Sequence, residues 1–296
     1  MRMVQKARSI GSGITIDTRT KRMDTSAGTA MPELRGRWAS EWAFLAAGAL
    51  LFIASAGATI YWSGTMSGNM PMSYGGTMFM AWMMPGQAWL SAVASFMAMW
   101  MVMMVAMMLP SLAPTLVIYR RSMRSVRRPD KTHLGRLTAL AGAGYFFVWA
   151  VFGAVVYTLG VALTTAEMQW MALANRVPLA TGVILLLAGC FQLTAWKAHQ
   201  LTCCRGAPAW AKSLSSDVQG AWQYGLRLGA HCLLCCVGFM VILLIVGVMD
   251  LGLMVIVAAA ITLERLAPRP ERVARAVGIV ILVAGVVMIA RFAGMG

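Results

Sequence analysis

Acidic side chains are scarce in this sequence. It has 10 Asp and Glu against 25 Lys and Arg, and 12% of its 296 residues are charged. Paired catalytic carboxylates, a Ser-His-Asp set, a P-loop and a dinucleotide-binding glycine fingerprint are all missing. The three histidines, His133, His199 and His231, are too few for a histidine-rich di-iron or dicopper oxidase. No recognisable catalytic constellation remains, and a non-enzymatic role is expected. Polar faces are lacking as well: a soluble domain of this length would alternate apolar and polar positions. Here 59% of residues are hydrophobic and the mean hydropathy is +0.71. Apolar blocks of about 20 residues recur, the length that crosses ~30 Å of hydrocarbon at about 1.5 Å per residue. The expected fold class is all-α, a polytopic transmembrane helical bundle. A transmembrane β-barrel is excluded in practice, since it would show short segments of alternating polarity.

Seven spans are expected, at roughly 42–62, 89–117, 139–162, 178–196, 232–249, 251–266 and 275–293. The fifth and sixth are short and meet at Asp250-Leu251-Gly252, so a partly re-entrant hairpin would reduce the number of spans to six. Segments 1–41, 118–138, 197–231 and 265–275 carry 8, 7, 4 and 4 Lys/Arg, and the alternate segments carry only Arg176 and Arg291. This positive-inside pattern places the N-terminus in the cytoplasm of a bacterial inner membrane, with the lipid bilayer as the first partner. It accounts for the formal +15 charge without a nucleic-acid partner, and "RRSMRSVRR" at 120–128 reads as a solvated inner loop. Residues 1–40 form a basic cytoplasmic tail, expected to be disordered, with no h-region of a secretory signal. Residues 41–296 form one transmembrane helical domain, and its first span acts as an uncleaved anchor.

What is abundant is methionine. The first external loop, 63–88, has no charged residue and holds Met66, Met70, Met72, Met78, Met80, Met83 and Met84. Gly, Ser and Pro punctuate it, so methionine is not filling a tight core there. Thioether sulfur is neutral, polarizable and selective for Cu(I) over hard cations, and it keeps its ligand form where thiols would oxidise. The other reading of this loop is a segment lying on the bilayer surface, with Trp82 and Trp89 in the aromatic belt.

The second span continues the pattern in "MAMWMVMMVAMMLP", residues 97–110. At about 100° per residue, Met97, Met101, Met104 and Met108 share one stripe. Met99, Met103 and Met107 form a second stripe on roughly the opposite side. Pro110 and Pro114 are expected to bend the inner end and free carbonyls near Ser111. A metal conduit and a methionine-packed helix both remain open readings.

All six cysteines fall on the inner side or within spans, which excludes an extracytoplasmic disulfide framework. Cys190 reads as a small hydrophobe. Cys203 and Cys204 lie in the expected loop between the fourth and fifth spans. In "HCLLCCVGFM", residues 231–240, Cys232, Cys235 and Cys236 share a helical surface, Met240 continues it and His231 stands at its mouth. Such a set suits Cu(I), or less well Zn(II), in a soft low-coordinate site. Among the few polar residues near the spans, Gln192 is expected to bond across helices and Glu264 to pair locally with Arg265. Asp250 is either a solvated turn residue or a neighbour of the methionine loop.

The runs "AMMLPSLAP" (106–114), "FQLTAWK" to "CCR" (191–205) and "GLRLGAHCLLCC" to "GVMD" (225–250), with Glu264, resemble a bacterial family of predicted metal-binding integral membrane proteins. That family was long labelled a domain of unknown function, and its relatives include membrane copper chaperones for tyrosinase-type enzymes. The resemblance covers about residues 40–270. It implies functional positions at Met107, Met108, Pro110, Gln192, Lys197, Cys204, Cys232, Cys235, Cys236, Met240, Met249 and Met254. The chain departs from the pattern at Gln200, where the family often has a second cysteine, at Val237 in place of Trp, and at Asp250 in place of Asn. Without a cysteine at 200, a paired-thiol role for this segment requires Cys203 to substitute.

The expectation is a membrane copper chaperone that collects Cu(I) on the outer methionine loop. It would hold the ion along span two and at Cys204, Cys232, Cys235, Cys236 and Met240, and deliver it to a copper-dependent oxidase or another metalloprotein client. A membrane thiol oxidoreductase using Cys203, Cys204 and the span-five cysteines is the alternative enzyme reading. A structural subunit in which methionine only packs is the third.

Overall fold

The computed structural model describes residues 41–64, 89–126, 131–169, 177–211, 217–246 and 250–294. These form eight helices, and no strand occurs among the described residues. They are α1 (Glu41–Gly64), α2 (Trp89–Val126), α3 (Lys131–Gln169) and α4 (Val177–Gln192). After these come α5 (Ala195–Ala211), α6 (Val218–Val246), α7 (Leu251–Leu266) and α8 (Pro270–Gly294). The basic tail, the methionines from Met66 to Met84, and Met249 lie outside the described residues.

Five helices, α1, α2, α3, α6 and α8, are long and apolar enough to cross a membrane. Together α4 and α5 pass as a sixth, bent by 64° at their break. Five or six candidate spans thus stand among the described residues beside the six or seven expected, and the helices depart from the expected bounds or lengths in three places. At the break, the Leu193 and Thr194 amides bond back to the Cys190 and Phe191 carbonyls, 3.0 and 3.1 Å away. The Thr194 hydroxyl then accepts from the Lys197 amide at 3.2 Å and caps the new helix. The expected span 178–196 is cut there, and Cys203 and Cys204 lie on helix α5 and not in a loop. Second, the expected short fifth span begins 14 residues earlier, at Val218, and is 29 residues long. Third, α7 has 16 residues. It is about 24 Å long, short of the ~30 Å hydrocarbon layer.

The exterior is apolar, unlike that of a soluble protein. Leu50, Ile53, Val155, Leu187, Ile256 and Val280 are exposed, while Lys197, Gln192, Glu264 and Arg265 are buried. An apolar exterior around a core that encloses a few polar and charged groups is the arrangement that hydrocarbon stabilises.

Small residues set how closely the helices approach. The most extensive contacts are α3 with α6 and α4 with α8. A Cβ placed on Gly225 would stand 2.1 Å from the Ala141 carbonyl oxygen, and one on Gly144 2.8 Å from that of Trp222. Only glycine lets these two backbones touch, the close approach typical of helices packed in lipid. Gly182, Gly189 and Gly285 do the same for α4 against α8, where Ile289, Leu282 and Leu186 fill the space. Against α3, Trp100 of α2 lies over Gly153 and donates its indole N–H to the Trp149 carbonyl at 3.0 Å. Helix α2 also packs on α5 and α7, and runs unbroken through Pro110 and Pro114.

Candidate metal centre

Helix α5 has two chemically different faces. Lys197, Gln200 and Cys204, at i, i+3 and i+7, are buried together. On the other side His199 is exposed and Cys203 half-buried, with the Cys203 sulfur 3.6 Å from His199 Nε2. Helix α6 turns Cys232, Cys235, Cys236 and Met240 inward, all buried. Because α5 packs along α6, the two thiol sets meet. The Cys204 thiol is within bonding reach of Cys235, and Cys236 is within reach of both Cys232 and Cys235. All four are free thiols.

Around these sulfurs stands a shell of polar groups from four other helices. From α3, the Tyr145 hydroxyl is 2.9 Å from the Cys232 sulfur. The Gly225 and Gly144 contacts described above bring Tyr145 this close. From α7, Arg265 donates to the Cys204 sulfur at 3.5 Å and to the Ser111 hydroxyl of α2 at 3.3 Å. Ser111 in turn donates to the Met108 carbonyl at 2.9 Å, which ties α2 to the centre at its methionine end. Lys197 pairs with Glu264 at 3.0 Å, their side chains 1% and 2% exposed. It also donates to the Cys235 carbonyl and lies 5.0 Å from the centre of the Phe239 ring. Gln192, at the last turn of α4, donates its side-chain amide to Glu264.

The charges do not cancel within this group. Glu264 neutralises Lys197, but Arg265, 9% exposed, has no carboxylate within ion-pair distance among the described residues. A buried guanidinium without an anion costs several kcal/mol, so the centre is electrostatically prepared for negative charge at the sulfurs. Arg265 Nε also lacks a hydrogen-bond partner.

Several sequence expectations change here. Glu264 pairs with Lys197 and not with its neighbour Arg265, because the two point into different parts of the helix interface. Gln192 does bond across helices, to Glu264. Cys203 is half-buried and its sulfur meets His199 of its own helix, 3.6 Å away, whereas Gln200 and Cys204 are buried. Gln200 occupies the position of the missing cysteine, and its amide oxygen accepts from His231 Nδ1 at 2.9 Å. Asp250 caps α7, its carboxylate accepting from the Leu253 amide at 3.0 Å. Cys190 is exposed on the apolar exterior.

The two methionine stripes of α2 are not divided between interior and lipid. Met99, Met103, Met104, Met107 and Met108 are all buried, while Met97 and Met101 are half-buried. Burial deepens toward the Ser111 end, and Met104, Met108 and Met240 are completely enclosed. Among the described residues, no group of three or more His, Cys, Asp or Glu is arranged to hold a metal ion. What the sulfurs offer are pairs of thiols, supplemented by thioethers.

Sequence reasoning missed Arg265 and Tyr145 as neighbours of the thiols. Arg265 looked like an interfacial topology charge, and Tyr145 sits in an ordinary apolar run. Neither carries a spacing signal that would link it to a cysteine 61 or 87 positions away.

Among known proteins, residues 97–288 match the model of the PpoB2 family, described as a copper chaperone. No curated protein and no solved structure matches the chain.

Proposed function

The chain belongs to the PpoB2 copper chaperone family, and from that premise we propose that it carries copper as Cu(I) within the bacterial inner membrane. The ion is held at the buried thiols of Cys204, Cys232, Cys235 and Cys236 until it passes to a client metalloenzyme. The observation that carries this reading is a cluster of four free, buried thiols beside Arg265, a buried cation with no carboxylate of its own among the described residues. Cu(I) is satisfied by two thiolates, and that complex carries one net negative charge. The Arg265 guanidinium supplies the matching positive charge without occupying a coordination position. Zn(II), which prefers four ligands in a tetrahedron, fits sulfur pairs less well.

The neutral thioethers of Met104, Met108 and Met240 add soft donors that need no deprotonation, which suits weak, exchangeable holding. Met97, Met101 and Met107 extend the same chemistry along α2. In this reading the loop methionines Met66, Met70, Met72, Met78, Met80, Met83 and Met84 collect the ion on the outer side. The burial of Cys232, Cys235 and Cys236 favours carriage over the alternative of a thiol oxidoreductase, whose dithiol must meet its substrate.

Metal analysis of the purified protein under reducing conditions tests this. The protein is compared with a variant carrying serine at Cys232, Cys235 and Cys236, and with one carrying leucine at the seven loop methionines. The cysteine variant is expected to lose most bound copper, and the loop variant to load more slowly. Copper content equal to that of the unaltered protein in both variants would end the proposal.

A further inference from the structure

On the side of α5 away from the buried thiols, a second group of ligands stands at the surface, and nothing in the carrier reading uses it. His199 and Cys203 are one helical turn apart with nitrogen and sulfur 3.6 Å from each other. Their separation is fixed by the helix, and both side chains are accessible: His199 is exposed and Cys203 half-exposed. Half-buried His231 of α6 lies close enough to His199 for their charges to interact. His231 is itself oriented by Gln200 at 2.9 Å. Two members of this rim adjoin a buried thiol in sequence: Cys203 precedes Cys204, and His231 precedes Cys232.

Resting on the carrier reading above, we infer that His199 and Cys203 form an exchange site for Cu(I), through which the ion reaches or leaves the buried thiols. A nitrogen–sulfur pair supplies the two donors that Cu(I) accepts, and none of the described groups of His, Cys, Asp or Glu adds a third arranged for a metal. The ion is therefore bound weakly enough to move on. The transfer is ligand exchange with copper remaining Cu(I) throughout. The Cu–N bond to His199 breaks as a Cu–S bond to Cys204 forms, and the Cys204 thiol proton leaves to solvent past the rim. The Cu–S bond to Cys203 then breaks as one to Cys235 forms. Cys203 regains a proton from solvent and Cys235 gives one up.

The burial pattern explains why such a stage is needed. Cys204, Cys232, Cys235 and Cys236 are enclosed, so a donor cannot reach them directly. A docked ion on Cys203 has only to pass from one residue to the next around α5.

The experiment uses the full chain in lipid nanodiscs, kept reduced, mixed rapidly with Cu(I) bound to a coloured chelator. Loss of the chelator complex is followed in time and the copper retained is measured afterwards. Cys203→Ser and His199→Ala are each expected to slow loading about tenfold while the final copper content stays that of the unaltered protein. Both positions are accessible, and an unchanged unfolding profile confirms that the bundle is intact. Loading by both variants at the unaltered rate would overturn the exchange site and leave the carrier reading standing. A final copper content lowered as far as in Cys204→Ser would also overturn it, because the residues would then be part of the storage site. Failure of the unaltered protein to take up copper would remove the carrier reading itself, and this inference with it.

Discussion

Replacing Glu264 with alanine leaves the Lys197 ammonium buried without its carboxylate. The pair is 3.0 Å apart with side chains 1% and 2% exposed, so solvent neither screens it nor replaces the lost partner. Breaking a buried ion pair at one end costs about 3–5 kcal/mol, most of it the penalty of the remaining charge. Two contacts survive the substitution. Lys197 still donates to the Cys235 carbonyl and still lies 5.0 Å from the Phe239 ring. A desolvated cation–π contact contributes roughly 0.5–2 kcal/mol, which puts the expected loss near the lower limit, about 3 kcal/mol. That is a change of about 100-fold in the folded-to-unfolded ratio. The assay is denaturant unfolding in mixed micelles, comparing the unaltered protein, Glu264→Ala, Lys197→Met and the double variant Lys197→Met with Glu264→Leu. The double variant, with both charges replaced by apolar groups of similar size, is expected to recover most of the loss. A Glu264→Ala loss under about 1 kcal/mol would refute the reasoning, since that is the value of a solvated pair. A double variant as unstable as the single one would show that packing, not charge, holds the site together.

Two further outcomes follow from the α3–α6 contact. Gly225→Ala places a Cβ 2.1 Å from the Ala141 carbonyl oxygen, where only backbone movement relieves the clash. The variant is expected to lower the yield of folded protein and to separate Tyr145 from Cys232. Folded yield and an unfolding midpoint equal to those of the unaltered protein would contradict the close packing. Tyr145→Phe removes the hydroxyl 2.9 Å from the Cys232 sulfur while keeping the ring, and is expected to cost about 1 kcal/mol in the same unfolding assay. A cost above about 3 kcal/mol would mean that the ring's packing had also been disturbed.

Much of the architecture was legible from local pattern. Apolar runs of the right length located α1, α2, α3 and α8, because hydrocarbon leaves a spanning chain few alternatives to a helix. Span ends were read less well wherever polarity was a poor guide. The start of α6 at Val218 was hidden because Gly225 and Gly229 look like interruptions in sequence, although they serve as contact points against α3. The break after Gln192 depends on a Thr194 cap within an otherwise continuous apolar stretch. At the candidate centre, the soft residues were visible as residue types and spacings, but Cys232, Cys235 and Cys236 lie buried in the middle of α6 and not at the start of a span, where the reading placed them. Their polar surroundings were not visible.

The sequence by itself determined the material of this protein: an all-helical, apolar chain with its basic residues in alternate segments and sulfur as its abundant ligand. These properties are local, set by side-chain chemistry and helical period. Only the tertiary structure decided which sulfurs share a site and which charges face them. Cys204 meets Cys235 because α5 folds back along α6 after the Thr194 break, and Lys197 meets Glu264 across 67 positions for the same reason. Tyr145 reaches Cys232 because glycines let α3 and α6 touch. Contacts of that kind depend on how closely whole helices approach, a distance that no single segment encodes.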